Sequence, residues 1–147
     1  MYIKRHSKGT HMKTKALMLS LALTFSSLAS ADVVIIVHPS NETTLTEGEI
    51  KNIFLGKLNS FSNGSQAIAI SLTSDSGGFD HFLSALIGRS PAQWKSYWAN
   101  KAFTGEMTPP RQVNTSEMIS LIATNPNLIG FVEDKDIPST VKIIHKL

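Results

Sequence analysis

Cysteine is absent from the 147 residues. No disulfide can staple the fold and no thiolate can act as a nucleophile, so stability must come from a packed core alone. Long apolar runs are equally scarce. The main one, Ala16–Leu28 (ALMLSLALTFSSL), is broken by Ser and Thr and is too short to cross a bilayer comfortably. It lies between a basic start, Met12–Lys15, and a small-x-small step, Ala29–Ala31. That order is the pattern of a secretory signal peptide cleaved before Asp32. The expectation is therefore threefold. Met1–His11 (1–11) is a leader from an upstream start or from cloning, Met12–Ala31 (12–31) is the signal, and Asp32–Leu147 (32–147) is one periplasmic domain. After cleavage nothing remains to embed it in a membrane.

An excess of basic charge is also missing. The formal charge is +3, but five of the 14 Lys and Arg residues (Lys4, Arg5, Lys8, Lys13 and Lys15) precede Asp32. The nine that remain face 11 acidic residues, a net charge of −2 over Asp32–Leu147. Nucleic acid, which requires a basic face to displace counterions, is excluded as a partner.

Catalytic and metal-binding patterns are lacking too. There is no Gly-x-Ser-x-Gly elbow, and no Ser is placed beside a base, so no catalytic residue is expected. His38, His81 and His145 stand at no metal-ligand spacing, and Asp80 and His81 are adjacent and face different ways on a helix. The acidic turn Glu133–Asp136 lacks the spacing of a calcium loop and reads as a solvated turn. No metal and no cofactor are expected. Trp94, Tyr97 and Trp98 fall at helical spacing, which favours core over a stacking platform.

What is present is a regular alternation of strands and helices. Asp32–Val37 (DVVIIV) is a β-branched run fit for a strand buried on both faces, ended by Pro39. Thr46 and Glu49 form a capping box, Ile50, Ile53 and Phe54 a buried face, and Gly56 a helix-ending glycine before Lys57. Asn63-Gly64 marks a turn. Ser90, Pro91 and Gln93 announce a second capping box, and Glu106–Val113, with Pro109 and Pro110, reads as an extended loop. Asn114 with Glu117 opens a further helix over Met118, Leu121 and Ile122, stopped at Asn125-Pro126. Leu128–Val132 and Thr140–His145 are strands. The order β-α-β-α-α-α-β-β predicts an α/β fold: a mixed, largely parallel sheet with helices on both faces.

The most telling stretch is Ala67–Gly88 (AIAISLTSDSGGFDHFLSALIG). A strand, Ile68–Leu72, passes through Thr73–Gly78 into a helix with an apolar stripe at Phe79, Phe82, Leu83, Leu86 and Ile87. Unpaired N–H groups at such a junction can hold an anion. Two readings stay open: a capped junction with Ser76 as N-cap, or an anion site at Ser74, Asp75, Ser76, Gly77 and Gly78. Ser40 and Asn41, at the end of the first strand, are expected to line the same edge, because ligands of such sheets sit at strand carboxyl ends.

Three phrases in order carry a family resemblance. Leu45-Thr46 leading to Ile53–Lys57 (IFLGK), Ser90–Trp94 (SPAQW) and Asn125–Val132 (NPNLIGFV) resemble phrases of the phosphate-type ABC transporter substrate-binding proteins, over nearly all of Val33–Val141. The resemblance is to their short, exported, single-lobe members. It implies one lobe of a type-II periplasmic binding protein, a small oxyanion such as phosphate as ligand, and an ABC transporter permease or envelope protein as partner. The family's Arg-x-Asp-Gly-Ser-Gly-Thr anion segment, laid with its helix Phe on Phe82, puts Leu72 at the Arg and Ser74 at the Asp. Asp75 then stands at the first Gly, and Gly78 at the Thr; only Ser76 and Gly77 match. The Arg would have supplied bidentate charge-assisted bonds, and Asp75 adds a charge that opposes an anion. Two functions follow: a non-enzymatic oxyanion-binding protein, or a periplasmic interaction or accessory module that has lost ligand binding.

Overall fold

The computed structural model describes residues 32–147; the leader and signal assignments, Met1–His11 and Met12–Ala31, lie outside the described residues. The apolar run at its start forms β1, Val33–Val37, buried along its whole length. Four more strands join it: β2 (Ile68–Leu72), β3 (Arg111–Val113), β4 (Leu128–Glu133) and β5 (Lys142–Lys146). They make one five-stranded sheet in the order β3-β2-β4-β1-β5. β2 runs parallel to both β3 and β4, whereas β1 runs antiparallel to both β4 and β5. Four strands thus point one way and β1 points the other. A continuous apolar run states that a strand is buried, and leaves its direction to the partners it meets.

The helix starts are set by their caps. α1 (Glu47–Phe54) opens on the Thr46–Glu49 capping box, with Thr46 N donating to Glu49 Oε2 at 2.7 Å. It ends at Leu55, with Gly56 left-handed at φ 72° and Lys57 N closing on Asn52 O at 2.8 Å. α3 (Pro91–Phe103) opens on the Ser90–Gln93 box with Pro91 in its first turn. α4 (Thr115–Thr124) opens on Asn114, whose side chain accepts from Glu117 N at 2.8 Å.

Three sequence expectations change. Glu106–Val113 is not all loop: Arg111–Val113 adds an edge strand, with Ile70 opposite Arg111 and Leu72 opposite Val113. Three residues are too few to show alternation, and β2 supplies the ladder that fixes them. The helix after the Ser/Gly turn is not one α-helix. α2 (Phe79–Phe82) passes into a single π-turn, Leu83–Ile87, where Gly88 N donates to Leu83 O at 2.7 Å. The last strand begins at Lys142 rather than Thr140.

Helices cover both faces of the sheet. Successive residues of β4 point opposite ways. Phe131 stacks on Phe82 at 3.7 Å between centroids with planes 5° apart, and meets Phe54 edge-on at 5.9 Å. Phe82 in turn meets Trp94 at 6.2 Å. On the other face, Gly130 lets α4 lie directly on the strand. A Cβ there would overlap Met118 Sδ and stand 2.9 Å from Ile122 Cδ1. The stripe Phe79, Phe82, Leu83, Leu86 and Ile87 is buried throughout, and Trp94 and Trp98 are core, as their spacing predicts. Among the described residues no helix is long and apolar enough to cross a membrane.

Candidate functional site

Because β2, β3 and β4 are parallel, their carboxyl ends share one edge of the sheet. The Ser/Gly turn leaves β2 there. Thr73 N donates to Val113 O at 3.1 Å, which ties the turn to β3. Ser76 N donates to Thr73 O at 3.0 Å, and the hydroxyls of Thr73 and Ser76 share a 2.7 Å hydrogen bond. Ser76 is therefore not the helix N-cap. Its hydroxyl is engaged inside the turn, and the capping position falls on Gly78, left-handed at φ 87° with no side-chain cap. Two glycines after Ser76 move the helix start beyond the reach of its hydroxyl. Ser74 and Asp75 are exposed, while Ser76 and Gly78 are half-buried.

Glu133, at the end of β4, is the neighbour that sequence reasoning missed. A Cβ on Gly77 would overlap its Oε1, and a Cβ on Gly78 would stand 3.1 Å from its Cγ and from Val33 Cγ2. The carboxylate thus rests on the backbone at Gly77, where only glycine leaves it room. A stretch of acidic residues following a strand does not show which turn it will face. Among the described residues no cation forms an ion pair with Glu133. Lys146 holds Asp134 at 2.9 Å and Asp32 at 3.3 Å, and the Asp134 hydrogen bond, then that of Asp32, raises its pKa above the usual lysine value. Its charge is committed.

Ser40 and Asn41 do not join the turn. Val37 pairs with Ile129 and Val33 with Glu133, so the carboxyl end of β1 lies at the opposite edge of the sheet. The antiparallel course of β1 decides this. Ser40 Oγ bonds His38 Nδ1 at 2.7 Å, and buried Asn41 accepts from Thr43 N at 3.0 Å. Lys142 Nζ donates to Asn41 O at 3.0 Å. Both residues shape the chain after β1.

Beside the turn lies a cavity of about 790 Å³ between α3 and the β2–β3 edge. Ser71, Ser74 and Phe79 form one wall, and Trp94, Trp98 and Pro109 line others. Trp94 and Trp98 are therefore core on one side and cavity wall on the other, and Trp98 Nε1 is buried with no hydrogen-bond partner among the described residues. Lys95 is the cation at this cavity. Its volume lies within the range of small-molecule pockets. Among the described residues no group of three or more His, Asp or Glu could hold a metal.

No protein-family model matches the chain, and no curated protein matches it. Solved structures do. The chain is similar to an ABC-type phosphate transport receptor from Vibrio cholerae, at 21% identity and a TM-score of 0.60, covering 78% of this chain and 46% of that one. It is similar to a phosphate ABC transporter substrate-binding protein with bound phosphate from Clostridium perfringens, at 20% identity and a TM-score of 0.61, covering 78% and 44%. It is also similar to PstS from Borrelia burgdorferi, at 16% identity and a TM-score of 0.57, covering 78% and 46%. The chain thus spans less than half the length of these structures. Its fold is that of one lobe of the phosphate ABC transporter substrate-binding proteins.

Proposed function

We propose that this chain is an exported, non-enzymatic solute-binding protein of the phosphate ABC transporter type. It binds phosphate or a similar small oxyanion, weakly, at Ser74–Gly78 in the periplasm, needs no cofactor, and presents its ligand to a permease or another envelope protein. One observation carries the reading. The turn stands at the carboxyl edge of three parallel strands, where sheets of this kind hold ligands. There the amides of Gly77 and Gly78 donate to no backbone carbonyl among the described residues. The hydroxyls of Thr73 and Ser76 lie beside them. The fold shared with phosphate receptors supports the same assignment.

Phosphate should raise the melting temperature by mass action. Ten times the dissociation constant adds about 1.4 kcal/mol, or about 6 °C for a domain of this size. Ser76→Ala should shrink the shift. No shift at millimolar phosphate or sulfate refutes the reading.

The Glu133 carboxylate on Gly77 favours a second reading, an accessory module without ligand. An envelope partner recovered equally by the wild type and Ser76→Ala, together with an absent thermal shift, would select it.

A further inference from the structure

A second concave site lies away from the turn, between the end of α1, the Gly88–Arg89 link and α3. Its volume is about 820 Å³. Lys51, Lys57 and Arg89 line it, and among the described residues no Asp or Glu does. Three cations elsewhere are paired, Lys101 with Glu106 at 2.7 Å, Arg111 with Glu117 at 2.6 Å, and Lys146 with Asp134 and Asp32, while Lys95 and Lys135 stand singly and apart from this pocket. Among the described residues, Lys51, Lys57 and Arg89 hold no carboxylate within ion-pair distance. In a domain whose mature charge is −2, three uncompensated cations on one concavity stand out.

The backbone fixes two of them. Each follows a left-handed glycine that ends a helical segment: Gly56 at φ 72° before Lys57, and Gly88 at φ 70° before Arg89. The Arg89 guanidinium lies 4.7 Å from the Tyr97 ring centroid, and Tyr97 Oη donates to Leu55 O at 2.6 Å, which locks that ring to the end of α1. A cation after a helix end is commonly there to offset the helix dipole. Here the two helix ends contribute about half a negative charge each, against three full positive charges, so about two positive charges remain. The dipoles explain a cation at each end and leave the surplus unexplained. Ser96 and Asn100 add neutral hydrogen-bonding side chains to the same wall. We propose that the Lys51–Lys57–Arg89 pocket binds a multivalent phosphate anion of the di- or triphosphate kind. The guanidinium fork takes one phosphoryl group in two parallel bonds, and the lysines meet the others as point charges.

The test is calorimetric titration of the folded protein with tripolyphosphate at low ionic strength. Saturable one-to-one binding is expected, with orthophosphate at least about tenfold weaker at this pocket. Arg89→Gln and Lys57→Gln should each weaken tripolyphosphate by about tenfold, the loss of one charge-assisted contact. Arg89→Lys should fall between the wild type and Arg89→Gln. Lys135→Gln, on the exposed β4–β5 link, should leave the affinity unchanged. If Lys135→Gln weakens binding as much as Lys57→Gln, the protein's overall charge is being read and the proposal fails. Absence of binding to the wild type also overturns it. Neither result touches the turn, whose assignment stands or falls on the response of Ser76→Ala to orthophosphate.

Discussion

Replacing Glu133 by Gln should strengthen phosphate binding at the turn. The side chain keeps its size, so the packing beside Gly77 and Val33 is retained and the change is one of charge. An oxyanion on the amides of Gly77 and Gly78 would be a near neighbour of the carboxylate, at a charge separation taken as about 5 Å. Glu133 is half-buried, and with an effective dielectric close to that of water, the cautious limit, two unit charges at that distance repel by about 1 kcal/mol. A singly or doubly charged phosphate therefore gains about 1–2 kcal/mol, or about 5- to 30-fold in affinity. Added salt should shrink the gain, since a half-exposed pair is partly screened. The assay is titration of orthophosphate into wild type and Glu133→Gln at low and high ionic strength. Both are built on an Arg89→Gln background, so that the basic pocket contributes little. Equal or weaker binding by Glu133→Gln would refute the electrostatic account of the turn.

Ser40→Ala should leave phosphate affinity within twofold of wild type by the same titration, because Ser40 lies at the far edge of the sheet. Phe82→Ala removes a fully buried ring that packs on Phe131, Phe54 and Trp94. It should cost about 3–5 kcal/mol, a fall of about 12–20 °C in Tm by calorimetry. A fall of under 5 °C would mean that the aromatic stack is not the keystone of that face. Gly130→Ala should cost about 1–3 kcal/mol by chemical denaturation, since its Cβ would press on Met118 and Ile122 and lift α4 from β4. An unchanged denaturation midpoint would show that α4 can give way freely.

Local rules were readable wherever the interacting groups are close in sequence. The Thr46–Glu49 and Ser90–Gln93 boxes form as three-residue spacings predict. The stripe from Phe79 to Ile87 is buried, and so is the whole of β1. Two of the failures share a cause, which is dependence on a partner distant in the chain. β3 exists because β2 offers it a ladder, and the place of Ser40 and Asn41 follows from the antiparallel pairing of β1 with β4. Of the two readings open for the turn, Ser76 as N-cap gives way on local grounds, because two glycines stand between its hydroxyl and the helix and the capping position falls on Gly78.

The sequence by itself determined the starts of α1, α3 and α4, the apolar faces, the alternation of strands and helices, and the Ser/Gly turn that leaves β2. These depend on backbone sterics and on side chains within one helical turn of one another. Only the tertiary structure decided which sheet edge holds which turn, that Glu133 rests on Gly77, and that Lys51, Lys57 and Arg89 converge. Those outcomes are fixed by strand direction and helix packing. Charges far apart in sequence become neighbours only once the sheet is assembled, and their summed field then decides where an anion goes.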